Sequence, residues 1–153
     1  DMIQIKVKIN GAEKLLSFPK TEITNKVTHA TVSFAEEFGT YLGKDEKGTN
    51  PKNGKPMVVA AHLTTSQLRK FFGEVKRQDM NGYDETDFVL LKPKLAYAVG
   101  RADKNSKIKD FFNVLSKAMD EVVKSTTPET SFKNFIKIFE AIVAYHKAAE
   151  EQK

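Results

Sequence analysis

Four cations that could bind phosphate groups lie within residues 63–78, LTTSQLRKFFGEVKRQ. If this segment is helical, Arg69 and Lys76, which are seven residues apart, share one flank. Lys70 and Arg77 share a second flank further round the helix. Guanidinium and ammonium groups form charge-assisted hydrogen bonds with phosphate oxygens. The spacing therefore predicts a helix face that binds a nucleic-acid backbone, and an ordinary solvated face is the alternative.

Gly73 falls between the two basic columns of this predicted helix. Glycine in a helix interior costs about 1 kcal/mol relative to alanine, so its presence needs a physical reason. A residue without a side chain would let an anionic chain approach the helix backbone, and we include Gly73 in the predicted binding face. Leu68, Phe71, Phe72 and Val75 have the spacing of the opposite, buried stripe.

A second basic patch is predicted from Lys92, Lys94 and Arg101 in the segment LLKPKLAYAVGR. Arg101 follows Gly100 near a predicted helix end, where it could serve a phosphate or the last helix carbonyls. Tyr97 could stack on a base. A tyrosine on the margin of an apolar stripe is more often part of the core, with its hydroxyl in water, and we favour that interpretation.

Three carboxylates stand close together at Asp84, Glu85 and Asp87. They could hold a metal ion, but acidic residues also complement the dipole at the start of a helix. We favour the helix interpretation and predict no metal site.

The histidines give no indication of catalysis. His29, His62 and His146 are spread along the chain without the spacing of a site. The sequence has neither a Gly-rich phosphate loop nor a two-histidine helix motif. We therefore predict no catalytic residues and no cofactor, and a protein that is not an enzyme.

The composition is that of a globular protein with a positive net charge. The 153 residues are 40% apolar and 29% charged, with a formal net charge of +5 and a pI near 9.3. Such a charge favours a polyanionic partner, most simply nucleic acid. No apolar run approaches the roughly 20 residues of a membrane span, no signal-peptide pattern opens the sequence, and cysteine is absent. We expect a cytoplasmic protein with no membrane partner.

Residues 1–25 are predicted to form an N-terminal β-hairpin extension. Apolar and polar residues alternate over residues 3–9, Asn10-Gly11 is a strong hairpin signal, and a second strand follows over residues 12–18. A two-stranded ribbon is marginal alone in water. Its apolar face should therefore dock on the helices or on another chain, and the second case would give self-association.

Residues 26–153 are predicted to form a helical bundle domain. Its first helix runs from Thr28 to Leu42 and is followed by Gly43, in the position that favours glycine at a helix end. The residues expected to face the core are Val32, Ala35, Phe38 (or Phe34) and Leu42.

Residues 43–55, GKDEKGTNPKNGK, are predicted to be a mobile linker because they are rich in Gly, Pro, Asn and Lys. The four lysines could reach a phosphate backbone, although we favour a solvated loop. Residues 56–63 are apolar and should pack on the core in extended form or lead into the next helix.

Beyond the basic helix, Pro93 should kink a helix or start a new one. Of the two long amphipathic helices that follow, the first begins at Asn105 or Ser106, and the second at Thr127-Pro128-Glu129, with proline at the first helical position. Short links between successive helices imply antiparallel neighbours. We therefore predict an all-α, up-and-down bundle of about five helices with an N-terminal β-hairpin.

Three stretches of the chain resemble a known family: LTTSQLRKFFGEVKR at residues 63–77, LLKPKLAYAVGR at residues 90–101 and FKNFIKIFEAIVAYHK at residues 132–147. In this order they resemble the small subunit of the type III-A CRISPR effector, the Csm complex. The first two stretches are fairly specific as a pair. The resemblance does not extend to the region before about Asn25.

The resemblance implies a non-enzymatic, RNA-binding scaffold subunit of an antiviral ribonucleoprotein. In this family the small subunit stacks in a few copies along the complex and helps hold the guide RNA paired with target RNA, while other subunits cleave. The implied partners are guide RNA, target RNA and the other subunits. The residues predicted to contact RNA are Arg69, Lys70, Gly73, Lys76, Arg77, Lys92, Lys94 and Arg101.

The alternative function is a protein–protein interaction module that makes no contact with nucleic acid. Such a module would use the edge of the hairpin and an exposed apolar patch.

Overall fold

The computed structural model describes residues 1–150, and the last three residues of the predicted bundle, 151–153, lie outside the described residues. The strands are β1 (Met2–Ile9), β2 (Ala12–Pro19), β3 (Glu46–Thr49) and β4 (Pro56–Ala60). The helices are α1 (Thr21–Thr24), α2 (His29–Gly43), α3 (Thr65–Asn81), α4 (Glu85–Val89), α5 (Leu91–Arg101), α6 (Ile108–Lys124) and α7 (Pro128–Ala149). Five of these helices are long, as predicted.

The predicted N-terminal hairpin is confirmed. β1 and β2 pair antiparallel from Met2 opposite Pro19 to Ile9 opposite Ala12. Between them Asn10 and Gly11 have φ values of 53° and 82°, the positive values that a two-residue hairpin turn of this kind needs. Local turn chemistry therefore sets the register of this hairpin.

The apolar face of the hairpin docks on the helices, which was one of the two predicted alternatives. The ring centroid of Phe18 in β2 lies 4.6 Å from that of Phe34 in α2. Side chains of β1 and β2 belong to the same hydrophobic core as those of the helices. The division into residues 1–25 and 26–153 stays a prediction, and both parts contribute to this shared core.

Helix α2 packs against α7 along its length, and the two helices run parallel. Gly39 lies against Ile142 and Tyr145, and Gly43 lies against His146. Helix α2 ends at Gly43 as predicted. Gly43 is buried beneath α7, however, so its small size serves helix packing.

The predicted core face of α2 is correct except at Val32. Phe34, Ala35, Phe38 and Leu42 are buried, whereas Val32 is 40% exposed. The parallel contact with α7 sets the rotation of the helix, and that rotation turns Val32 outward.

The predicted linker is wrong over residues 46–49, and the all-α description is too broad. β3 and β4 form a second antiparallel hairpin. Long-range contacts hold it: the Glu46 carboxylate accepts a 2.8 Å hydrogen bond from the buried Lys107, and that of Asp45 accepts one of 2.9 Å from the His62 backbone N–H. The sequence of β3 has no alternating apolar pattern that would predict a strand. Its position depends instead on polar contacts with distant residues.

The link between α3 and α5 follows the prediction. Asp84 caps α4 by accepting a hydrogen bond from the Asp87 backbone N–H, so the acidic cluster serves a helix start as favoured. α4 ends at Val89, and Pro93 lies in the first turn of α5. Proline thus occurs where an intrahelical donor is not needed.

The core is centred on the aromatic residues of α7. The ring of Phe139 is surrounded by four other phenylalanine rings, one from α7 itself and three from α3 and α6. Its centroid lies 5.7–6.5 Å from those of Phe71, Phe72, Phe111 and Phe135. Phe71 and Phe72 belong to α3. These contacts fix which face of α3 is turned away from the core.

Candidate nucleic-acid interface

Local capping and the apolar stripe position α3. The Thr64 hydroxyl accepts a hydrogen bond from the Gln67 backbone N–H, and the Gln67 side chain accepts one from the Thr64 N–H. This reciprocal capping box begins the helix where the sequence predicted. Leu68 and Val75 are buried, so the opposite face of the helix is exposed.

The exposed face of α3 has two flanks and a central line of uncharged residues. Ser66, Gly73 and Met80 recur every seven residues along its centre, and all three are exposed. A Cβ added at Gly73 would have no described heavy atom within 4 Å apart from its chain neighbours and the nearby backbone of α3. Packing within the described chain therefore gives no reason for glycine at this position.

One flank of this exposed face lies toward α7. Lys76 on this flank forms a 2.7 Å ion pair with Glu140 of α7. The hydrogen bond to Glu140 raises the pKa of the Lys76 ammonium. Its charge is therefore offset by a neighbouring carboxylate.

The other flank faces α4 and α5, and Glu74 neutralises it in part. The Glu74 carboxylate accepts hydrogen bonds from Arg77 and Gln78 and lies 3.5 Å from the Lys94 ammonium. The hydrogen bond from Arg77, with further contributions from Gln78 and Lys94, lowers the pKa of Glu74 to about 2. Arg77 and Lys94 thus share one carboxylate that stays ionised at neutral pH.

The second basic patch is also partly paired. Lys92 forms an ion pair with Asp120 of α6. The guanidinium of Arg101 instead lies over the ring of Tyr97, with its central carbon 5.7 Å from the ring centroid. This contact is a cation–π arrangement, which sequence reasoning did not predict for Arg101.

Three of the predicted cations have no carboxylate partner among residues 1–150. They are Arg69, Lys70 and Arg101, and all three side chains are exposed. Unpaired cations keep their full charge available for a phosphate. The structure therefore divides the predicted binding residues into a free group and a paired group.

Two of these unpaired cations, Lys70 of α3 and Arg101 of α5, lie at the same end of the α3–α5 pair. Helices α3 and α5 are antiparallel neighbours, since Glu74 meets Lys94 while Gln67, two turns earlier in α3, bonds Ser106 beyond the end of α5. Lys70 lies between these two contacts, at the level of the last turn of α5. That turn carries Arg101.

The orientation of Tyr97 differs from the core interpretation. Its side chain is 67% exposed, so the interpretation favoured from sequence is wrong at this residue. The buried residues of α5 are Leu91 and Leu95, and Tyr97 lies two positions beyond Leu95, round toward the exposed face. The helical spacing of the two leucines is the signal that could have identified this face.

The β3–β4 hairpin and the residues just before it present four more exposed lysines: Lys44, Lys47, Lys52 and Lys55. Within the described part of the chain none of these four forms an ion pair. The nearby carboxylates face inward, because Asp45 binds His62 and Glu46 binds Lys107. The hairpin region therefore exposes positive charge, while its carboxylates hold it to the rest of the fold.

His62 and His146 make long-range contacts within the fold, and His29 is exposed at the start of α2. His146 is buried and hydrogen-bonded to the Leu63 carbonyl, and His62 pairs with Asp45. In the part of the chain that the structure describes, no group of three or more His, Cys, Asp or Glu side chains could hold a metal ion. No helix within residues 1–150 is long and apolar enough to cross a bilayer.

Comparison with known proteins identifies one family. The model of the family described as Csm2 Type III-A matches residues 43–152. The matched range includes α3 and α5 and every residue of the predicted binding set. No curated protein and no solved structure matched the chain.

Proposed function

Because the chain belongs to the Csm2 type III-A family, we propose that it binds RNA through the phosphate backbone within a type III-A CRISPR complex and catalyses no reaction itself. The family is that of the structural small subunit, so the other subunits of the complex are its partners. The proposed ligand is guide RNA paired with target RNA, and the proposed location is the cytoplasm.

The observation that carries the proposal is the group of free cations around the N-terminal half of α3. Arg69, Lys70 and Arg101 are exposed and have no carboxylate partner among the described residues. Cations that neutralise phosphates release condensed counterions, and this release supplies most sequence-independent affinity for nucleic acid. We propose these three residues as the main contacts.

The paired cations are proposed as secondary contacts. Lys76, Arg77, Lys92 and Lys94 each lie within ion-pair distance of a carboxylate. Exposed ion pairs contribute little net free energy to folding, so a phosphate can replace the carboxylate at small cost. Gly73 would let the RNA backbone approach the helix between the two flanks.

The test is the salt dependence of RNA binding by the full chain. We expect the Arg69→Ala/Lys70→Ala variant to weaken binding of unrelated single-stranded RNAs about equally. The slope of log affinity against log salt should flatten by about 1.4, which is roughly 0.7 for each lost phosphate contact. Fluorescence anisotropy with labelled RNA at several salt concentrations measures both quantities.

The matched control is Lys6→Ala/Lys8→Ala, which removes the same charge from exposed positions on β1. An equal loss of binding in both variants would mean that net charge alone attracts the RNA. If the parent chain does not bind RNA even at low salt, RNA contact is refuted and the protein–protein interaction module is the remaining function.

A further inference from the structure

An exposed aromatic ring lies beside the proposed backbone contacts. Tyr97 is 67% exposed on the outer face of α5, and the Arg101 guanidinium, one turn later, lies over its ring. A folded protein gains little from leaving a large aromatic ring in water, because burying such a ring is a main source of core stability. The exposed ring is therefore accessible to a ligand.

The surface around the ring carries small side chains and cations. Its exposed neighbours on α5 include Pro93, Ala96 and Gly100, and a Cβ added at Gly100 would have no described heavy atom within 4 Å apart from its chain neighbours and the nearby backbone of α5. The residues of α5 include three cations and no acid. A planar group bearing an anion could therefore approach the ring on the side that the Arg101 guanidinium leaves uncovered.

We propose that Tyr97 stacks on one nucleobase of a single-stranded RNA segment while Arg101 and Lys70 contact the adjacent phosphates. The inference rests on the proposed function and deepens it by adding a base contact to the backbone contacts. Unstacked RNA bases stack on aromatic rings and on arginine guanidinium planes. Every base has a π-face, so this contact tolerates any sequence.

The relative positions of the three side chains support this arrangement. Lys70 of α3 lies level with the last turn of α5, as the Glu74–Lys94 and Gln67–Ser106 contacts require. A ring and two unpaired cations thus occur together at one end of the α3–α5 pair. Tyr97 is the one exposed large apolar side chain among the described residues of α5, and the exposed Val89 and Leu90 lie two helical turns or more away. This arrangement favours a single stacked base over an extended apolar interface.

The experiment compares Tyr97→Leu with Tyr97→Phe in the full chain. The probes are a short single-stranded RNA and an oligonucleotide of equal length whose riboses carry no bases. Tyr97→Leu should weaken binding of the normal RNA by about fivefold to a hundredfold, the range that single base–aromatic stacks contribute. Tyr97→Phe should bind like the parent because it keeps the ring.

Two further readouts distinguish stacking from charge. The Tyr97→Leu salt slope should equal that of the parent, since no phosphate contact is lost. The oligonucleotide without bases should bind both proteins equally. Because Tyr97 is exposed, thermal melting of both variants should match the parent, and this measurement verifies that they fold.

The outcomes separate this inference from the proposed function. If Tyr97→Leu binds normal RNA like the parent while Arg69→Ala/Lys70→Ala is weakened, the stacking site is refuted and backbone binding stands. If the parent does not bind RNA, both are refuted. If Tyr97→Leu keeps RNA binding but loses association with other subunits of the complex, the α5 face is a protein-docking surface and stacking is refuted.

Discussion

Gly39 of α2 lies directly against the backbone of Ile142 in α7: a Cβ added to Gly39 would lie 2.7 Å from the Ile142 carbonyl oxygen. Gly43, four residues later, has the same relation to the His146 carbonyl oxygen, also at 2.7 Å. Two glycines four residues apart face the same side of a helix. They let α2 and α7 pack backbone against backbone, which no residue with a side chain would allow.

This contact predicts opposite effects for two glycine substitutions. Gly39→Ala should lower the melting temperature by roughly 2–4 °C, because overpacking against backbone exceeds the gain in helix propensity by about 1 kcal/mol. Gly73→Ala is the control, since its surroundings are open, and should raise the melting temperature by a similar amount. Calorimetry measures both, and an increase for Gly39→Ala would mean that α2 and α7 are not packed this closely.

The N-terminal hairpin should contribute to the stability of the whole fold. Phe18→Ala removes a buried ring from the shared core, at a cost of about 3–5 kcal/mol. Leu15→Ala on the same strand is the control, because Leu15 is 52% exposed, and should change stability by less than about 0.5 kcal/mol. Urea titration followed by circular dichroism measures both variants. An unchanged unfolding midpoint for Phe18→Ala would indicate a hairpin that is independent of the helices.

Lys107 holds the β3–β4 hairpin to the end of α2. Its buried ammonium donates hydrogen bonds to the carbonyls of Tyr41 and Lys44, at 2.7 Å and 2.6 Å, and to the Glu46 carboxylate. Lys107→Met should destabilise the protein by about 3–5 kcal/mol, since it leaves a partly buried carboxylate without its partner. The exposed Lys104→Met is the control, and equal melting temperatures for the two variants would contradict this role.

Glu22 should make stability depend on pH. Burial alone would raise the pKa of its carboxyl group, but hydrogen bonds from Thr28 and Thr31 outweigh burial and hold the pKa below 4.5. A carboxylate whose pKa is lower in the folded state stabilises the fold above the unfolded pKa, and this contribution is lost as pH falls through the folded pKa.

Glu22→Gln should therefore lower the melting temperature at pH 7, by roughly 4–8 °C for a loss of about 2 kcal/mol. The difference from the parent should shrink below pH 4.5, where the parent carboxylate also becomes protonated. Thermal melts between pH 7 and pH 3 measure this difference, with the exposed Glu36→Gln as control. A difference that does not change with pH would show that the ionised form of Glu22 contributes nothing.

The candidate site was predictable from sequence as a helix face. The spacing of Arg69, Lys70, Lys76 and Arg77 placed all four on the side opposite the buried stripe, and α3 bears this out. The ion pair of Lys76 was not predictable, because its partner is Glu140, a residue of another helix. Distance along the sequence does not indicate which carboxylates lie within hydrogen-bonding reach.

The sequence by itself determined the local features of the fold, those that depend on residues close together in the chain. The Asn10-Gly11 turn sets the first hairpin, and the Thr64–Gln67 capping box begins α3, because both signals act over two to four residues. Three short stretches were also enough to indicate the family. Tertiary structure decided the second hairpin and which cations remain free. Each of these depends on long-range contacts, which form only when the chain buries its core and brings distant charges within a few ångströms of one another.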